Sequence, residues 1–592
     1  MFKIIKSFRK VDYILMFFVV GLIVAQVYLD LKMPDYTATL TSSASSGTAD
    51  MNIVWTNGGY MMLCALGSLA CSILCGFLVT KIASSFSKTT RQRIFKKVLT
   101  FSSLEMNSFS TPSLITRTIN DVDHLHRFIA MGMQLIIKAP ILAIWSISKI
   151  SATSMEWTMA TSICVILIVT FVVLIVSLCI PRFKKVQTLT DNLNSAMREN
   201  LSGVRVVRAF NAERYQENKF EKANLALTKN QLFTSKAMGL MSPVLTILMN
   251  GLTLAIYWIG AIFINNIKVP DGATIEQIRG VVIERGKIIG QTAAFTQYAL
   301  QVVMAFMMLI MIFIFLPRVI VSSKRIKEVL EKEPTIKNGN ECSIENATQN
   351  AIEFKNVSFK FPDGAENAIN DVSFTINKGE SVAIIGATGS GKSTLIDLLS
   401  RNFDINSGEI MLYGKNIKDY SLVTLQDSLS IASQKAVLFK GTIKENIAYG
   451  QEEIDEEKVK DMLSLAQADF ATSLKDGIDS HVTQSGTNFS GGQKQRLSIA
   501  RALYKDAPII IFDDTFSALD YKTDLKVRQN LKKLKGKTII IVAQRIGTIK
   551  NCDKIIVLDK GKIVGMGSHG DLLKSCPIYE EIALSQLSKE EL

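Results

Sequence analysis

The chain has 592 residues, of which 48% are hydrophobic and 20% charged, and its mean hydropathy is positive at +0.24. That length accommodates several domains, and that composition excludes an ordinary soluble protein. The formal charge of +14 would suit a nucleic-acid surface, but in so apolar a chain it more simply marks the cytoplasmic loops of a membrane protein.

Lys3, Lys6, Arg9 and Lys10 precede an uncharged run from Tyr13 to Leu29. With its flanks this run is long enough to span a bilayer and too long for a cleaved signal peptide. Six spans are expected, at about 13–31, 58–80, 131–150, 157–180, 238–264 and 288–316. Met33 to Asn57 holds no Lys or Arg, so it reads as an external loop, with the N-terminus cytoplasmic. The charged stretches after spans two and four carry Arg91, Arg93, Lys96 and Lys97, then Arg182, Lys184, Lys185, Arg205 and Arg208. They read as helices that run on beyond the bilayer. Asn265–Lys287 is external by count but mixes Lys268, Arg279, Arg285 and Lys287 with Asp271, Glu276 and Glu284. The cysteines at 64, 71, 75, 164 and 179 lie in apolar stretches and read as buried free thiols, with no disulfide framework or metal spacing among the eight.

A charged helical connector, Arg318 to Glu333, ends at Pro334, and a polar linker follows. The domains are therefore drawn as 1–333, a six-span transmembrane domain; 334–350, a linker; and 351–592, an α/β domain. The soluble domain is organised around Gly386-Ala387-Thr388-Gly389-Ser390-Gly391-Lys392-Ser393, set between an apolar run, Ser381–Ile385, and a helical pattern that Thr394 opens. Strand, glycine-rich loop and helix in this order make a phosphate-binding loop. The glycines let the backbone wrap closely and turn its N–H groups inward, Lys392 neutralises the outer phosphates, and Ser393 offers Mg²⁺ a hydroxyl. Downstream, Ile509–Asp513 is an apolar strand ending in a carboxylate, the arrangement that holds Mg²⁺ through Asp513.

Taken together these motifs strongly resemble an ABC transporter of the exporter type, over essentially the whole chain: a half-transporter with an α-helical six-span domain fused to an α/β P-loop ATPase domain. The resemblance makes Gly386–Ser393 Walker A, Ile509–Asp513 Walker B, and Ser490, Gly491, Gly492 and Gln493 (after Phe489) the family signature. It assigns Gln434 to the Q-loop, as a further metal contact, Asp520 to the D-loop, and Phe361 to the aromatic position that stacks on adenine, where tyrosine is usual. Leu114–Val122 resembles the first coupling-helix region, and Glu199–Leu201 with Gly203–Phe210 the second cytoplasmic loop. The implied ligands are ATP and Mg²⁺, and the implied assembly is a head-to-tail dimer in which each ATP lies between one chain's Walker motifs and the other's signature.

Three positions depart from the family pattern. Asp514 stands where a glutamate polarises the attacking water, Gln544 where the switch histidine belongs, and Gln484 where a glutamate is usual before the signature. Aspartate falls short by about 1.5 Å of reach, and a misplacement of about 1 Å can cost roughly 100-fold in rate. An amide can hydrogen-bond a phosphate but carries no positive charge. Altered catalytic positions beside an intact Walker A and signature resemble the degenerate-site subunit of a bacterial heterodimeric multidrug exporter. The partner is then a second, non-identical half-transporter. A homodimer with reduced ATPase is the alternative.

Substrate is less legible. Met304–Met311, preceded by Gln291, Gln297, Tyr298 and Gln301, suits a small amphipathic substrate, as do the intramembrane polar groups Gln134, Lys138 and Asn250. Lys138 could instead snorkel toward the cytoplasmic side. A lipid or peptide cargo fits the same architecture, although no cargo-processing protease domain precedes the spans. A soluble ATPase acting on nucleic acid is disfavoured by the six spans, so no nucleic-acid partner is expected. Nothing demands a gated channel. The expected location is the bacterial cytoplasmic membrane, with the nucleotide domain inside the cell.

Overall fold

In a computed structural model the chain forms two compact units, one of Met1–Leu99 with Thr111–Lys332, the other of Thr100–Ser110 with Glu333–Leu592. The described residues are 8–47, 51–152, 154–269, 274–344, 348–362, 364–534 and 536–587. Lys3, Lys6, Asp271 and linker residues 345–347 lie outside them, as does the side chain of Lys184.

Among the described residues, six helices of the first unit are long and apolar enough to cross a membrane: Lys10–Ser45, Met51–Val98, Thr111–Ser151, Met155–Ser202, Glu213–Asn266 and Ile275–Ile312. The sixth continues to Glu331. Each contains one expected span, and each is far longer than the roughly 20 residues a bilayer needs. Val19, Ile23 and Val27 of helix one, Val79 and Ile82 of helix two, Trp157 of helix four and Phe295 of helix six close a common core. Phe17, Ile247 and Trp258 face outward, as hydrocarbon-facing residues of a multi-pass membrane protein do.

The external loop expected at Met33–Asn57 is much shorter than its composition suggested, because helix one runs to Ser45 and helix two begins at Met51. Its Ser/Thr content reads as loop but is absorbed by back-bonding: Thr37, Thr39, Ser42 and Ser45 donate to carbonyls three or four residues earlier. Thr274 likewise caps a helix that occupies the rest of the mixed-charge stretch, through a reciprocal pair with Gln277. Lys138 does not stand alone as a snorkelling cation: its Nζ lies 3.3 Å from Asp30 of helix one. Gln134, Gln291 and Gln297 are half-buried, whereas Asn250 is exposed.

Leu114–Val122 lies within helix three, where α-helix gives way to a π-turn at Arg117–Asp121. There Arg117 donates to the Arg325 carbonyl at 2.6 Å and to Glu328 at 2.9 Å, while Ser322 donates to the buried Asp121 at 2.8 Å. Both contacts tie helix three to the sixth. In the second cytoplasmic stretch a short helix, Val204–Ala209, follows Gly203 and leaves Phe210 exposed.

Among its described residues the second unit holds twelve strands: β1 Asn350–Phe359, β2 Ile369–Asn377, β3 Ser381–Ile385, β4 Ser407–Leu412, β5 Lys415–Asn416, β6 Leu429–Ala432, β7 Gly441–Thr442, β8 His481–Val482, β9 Ile509–Asp513, β10 Thr538–Val542, β11 Lys554–Asp559 and β12 Lys562–Gly567. β2-β1-β4-β5 form an antiparallel sheet and β7-β8 a small ribbon. The main sheet runs β12-β11-β3-β10-β9-β6, parallel except for β12. Its central strands are Ile/Val runs buried on both faces, as a covered parallel sheet requires. Because β3, β10 and β9 are neighbours and parallel, their C-terminal ends bring Gly386, Gln544 and Asp513 to one edge.

Thr100–Ser110 also belongs to this unit. Ser102 caps the helix Ser103–Phe109, and the buried Glu105 carboxylate accepts four hydrogen bonds. They come from Ser102 N (2.8 Å) and Oγ (2.6 Å) and from Thr335 N (3.2 Å) and Oγ1 (2.7 Å). Thr335 lies just after the connector, so the stretch read as a featureless linker is anchored at its start. It is anchored again where Arg401 donates to the Lys337 carbonyl at 2.8 Å.

Candidate functional site

The loop after β3 closes on itself. A Cβ at Gly386 would run into the Leu558 carbonyl, and Gly391 has φ +102° with Ile369 and Ala368 packed where a Cβ would stand. Both positions therefore require glycine, and they hold the backbone tight enough to line an anion. Lys392 opens the helix Lys392–Leu399. Its Nζ turns back onto the carbonyls of Gly386 and Ala387, both at 2.8 Å, and is buried. Burial lowers the Lys392 pKa, opposed by the charges of Asp514 and Asp513. The ammonium is thus held by its own loop at the place where phosphate oxygens would compete for it.

Ser393 Oγ donates to Asp513 Oδ1 at 3.2 Å. Two of the three side chains expected to hold Mg²⁺ are therefore adjacent, although 120 residues apart in sequence, while the third, Gln434, donates to Asp514 instead. Burial raises the Asp513 pKa and the Ser393 bond opposes this; the nearby carboxylates of Asp397 and Asp514 push it up further. A divalent cation would reverse that penalty, so the donor set fits Mg²⁺. No group of three His, Cys, Asp or Glu side chains forms a metal cluster among the described residues. When bound, the ion would neutralise phosphate charge between Ser393 and Asp513.

Asp514 is buried, with left-handed backbone at φ 45°. Its Oδ2 accepts from the Gln434 amide at 3.0 Å and the Gln544 amide at 3.1 Å. The Q-loop, Walker B and switch positions therefore meet on one carboxylate oxygen. Two residues that sequence reasoning missed steady this arrangement. Gln586 donates to the Gln544 carbonyl at 2.8 Å and accepts from Ile546 N at 2.9 Å. Gln495 donates to the Ser433 carbonyl at 3.0 Å, one residue before Gln434. Neither stands in a motif quoted above, and only the spatial neighbourhood reveals them.

Phe361 lies just beyond β1, edge-on to Phe359 and Phe403, with ring centroids at 4.9 and 5.4 Å. It is 36% exposed, which leaves ring surface available for stacking. Ser490 caps the helix Gly491–Tyr504 by a reciprocal pair with Gln493, and no atom crowds Gly491. That N-terminus suits an anion. Asp520 caps Tyr521–Leu531, and the bond from Thr523 lowers its pKa. Among the described residues no hydrogen bond joins Ser490–Gln493 or Asp520 to the loop, Asp513 or Asp514. The structure thus assembles Lys392, Ser393, Gln434, Asp513, Asp514 and Gln544.

The comparisons agree with this geometry. Residues 369–517 match the ABC transporter family and residues 13–275 its transmembrane region. An ABC transporter ATP-binding protein of Mycobacterium tuberculosis is 34% identical over 89% of this chain and 87% of its own length. YfiB of Bacillus subtilis, another such protein, is 32% identical over 91% of both chains. An ATP-dependent lipid A-core flippase of Hahella chejuensis is 29% identical over 87% of this chain and 85% of its own. The fold superposes on a bacterial Atm1-family ABC exporter with ATP bound, at a TM-score of 0.77 and 23% identity, covering 96% of this chain and 97% of that one. Similarity at 34% and 32% identity along most of both chains shows that the chain belongs to the ABC transporter family.

Proposed function

We propose that the chain is one half of a heterodimeric exporter of amphipathic compounds, that its own Walker site binds MgATP but turns it over slowly, and that its Ser490–Gln493 signature completes a competent site on a non-identical partner. The observation that carries this reading is the pair of amides on Asp514 Oδ2. A base that activates water needs a free lone pair within reach of it. Here Oδ2 is occupied by two donors, which leaves only Oδ1 to take a proton, the side chain is one methylene short, and Gln544 brings no charge to a γ-phosphate. Lys392, Ser393 and Asp513 carry none of these defects, so binding outlasts cutting.

ABC exporters act as dimers, and a lone half has a signature with nothing to complete. The N-terminus and nucleotide-binding unit are assigned to the cytoplasmic side of a bacterial membrane, in line with the basic stretches after spans two and four. Lipid is the second cargo reading, supported by the 29% identity to a lipid A-core flippase. The test is steady-state ATPase of the purified chain, alone and with its co-purified partner. Turnover is expected only with the partner; robust turnover by the chain alone would establish the homodimer instead.

A further inference from the structure

Helix one contains Pro34, four residues after Asp30. Proline has no amide hydrogen, so the Asp30 carbonyl loses its helical partner. Gln301 of the sixth helix replaces it, its Nε2 donating to that carbonyl at 3.3 Å. The Asp30 carboxylate is held by two further helices: Ser68 Oγ donates to Oδ1 at 2.5 Å, and Lys138 Nζ lies 3.3 Å from Oδ2. Four helices therefore converge on one break. Just beyond it, Asp35 accepts from Tyr298 at 2.5 Å and Lys149 at 2.9 Å.

Two features leave the site incomplete. Gln301 Oε1 is buried and has no hydrogen-bond partner. Exchanging the amide's nitrogen and oxygen would set oxygen against the Asp30 carbonyl, so its orientation is determined. The ion pair is also loose and reachable, with side-chain exposures of 21% for Lys138 and 24% for Asp30. Freed backbone and charged groups at membrane depth are tolerated where they line a wet cavity, and they mark substrate paths.

We propose that the Pro34 break is a recognition site for the ammonium head of a cationic amphipath. The ammonium takes the place of Lys138 Nζ on Asp30 Oδ2, Gln301 Oε1 accepts an N–H, and the neighbouring apolar helix faces take the tail. An anionic head would engage Lys138 but leave Gln301 Oε1 as orphaned as before. The proposal rests on the export reading only for the step from binding to transport.

The experiment uses the full chain in lipid nanodiscs without nucleotide, measuring binding of tritiated dodecylammonium, dodecyltrimethylammonium, dodecanol and dodecyl phosphate. Dodecylammonium is expected to bind about tenfold tighter than the trimethyl compound, which has the charge but no N–H, and tighter still than dodecanol. Asp30→Asn and Gln301→Leu should each weaken it by about tenfold, and Lys138→Met should not weaken it. Gln301→Glu, of equal size, should tighten it, which separates recognition from misfolding. Equal binding of dodecylammonium and dodecanol would overturn the proposal and leave a water as the partner of Gln301. So would unchanged binding in Asp30→Asn, or a preference for dodecyl phosphate that Lys138→Met removes. Because no nucleotide or partner enters the assay, its failure leaves the ATP-site reading standing, and the reverse also holds.

Discussion

Two lysines in this chain are withdrawn from water by different means. Lys392, in the nucleotide-binding unit, points into carbonyls of its own loop, five and six residues away. Lys138, among the membrane helices, meets one carboxylate 108 residues away, on a helix that a proline interrupts. The first is held by backbone whose geometry its glycines dictate, so the cradle exists wherever the motif folds. The second is held by side chains from separate helices, so it exists only when the bundle is assembled. Backbone carbonyls release a cation to a phosphate without moving; a side-chain pair must part.

Substitution should expose the difference. Lys392→Ala removes the lysine ammonium from the phosphate cradle and is expected to weaken MgATP binding by about 100-fold. Fluorescent-nucleotide titration of the full chain would read this, and thermal stability without nucleotide should change little. Asp30→Asn and Lys138→Met should behave in the opposite way, leaving nucleotide affinity unchanged and lowering stability. Each strands a partly buried group, at about 1–2 kcal/mol, discounted from the fully buried case because both side chains are partly exposed. The double substitution should recover much of that loss, a coupling that thermal unfolding in nanodiscs can measure.

Glu105 sharpens the contrast from the anionic side. Burial alone would raise its pKa, but the hydrogen bonds from Ser102 and Thr335 more than reverse this and hold it below the ordinary carboxylate value. A depressed folded-state pKa gives stability that is present above the unfolded pKa and lost as pH falls through the folded one. The protection of the Thr335 amide, relative to its intrinsic exchange rate, should therefore be full at neutral pH and fall away in acid, below about pH 4. Glu105→Gln should cost about 1 kcal/mol of that protection at neutral pH and flatten the acid dependence.

What could be read from the chain alone divides along the same line. The cradle and the six apolar runs follow from local spacing, because a loop or a helix is specified by its neighbours in sequence, whereas the Ser393–Asp513 pair, 120 residues apart, is expected only from the resemblance of two separate motifs. The Gln586 tether and the Asp30–Lys138 pair depend on contacts 42 and 108 residues apart, for which no local signal exists. Helix one's extension to Ser45 was misread because Ser and Thr resemble loop by composition, whereas their hydroxyls bond back to the helix. Asp514 lies between these cases: its departure from the family pattern was visible, but not the two amides that converge on it.

That carboxylate is where the smallest effect carries the most information. The decisive measurement is steady-state ATPase of the proposed heterodimer bearing Asp514→Asn, alongside loss of the glutamate that this reading expects in the partner. A site that binds without cutting should lose no more than about twofold in turnover from Asp514→Asn, while the partner's change removes nearly all of it. If Asp514→Asn abolishes turnover, Asp514 is a working catalytic base and the account of a binding-only site is wrong.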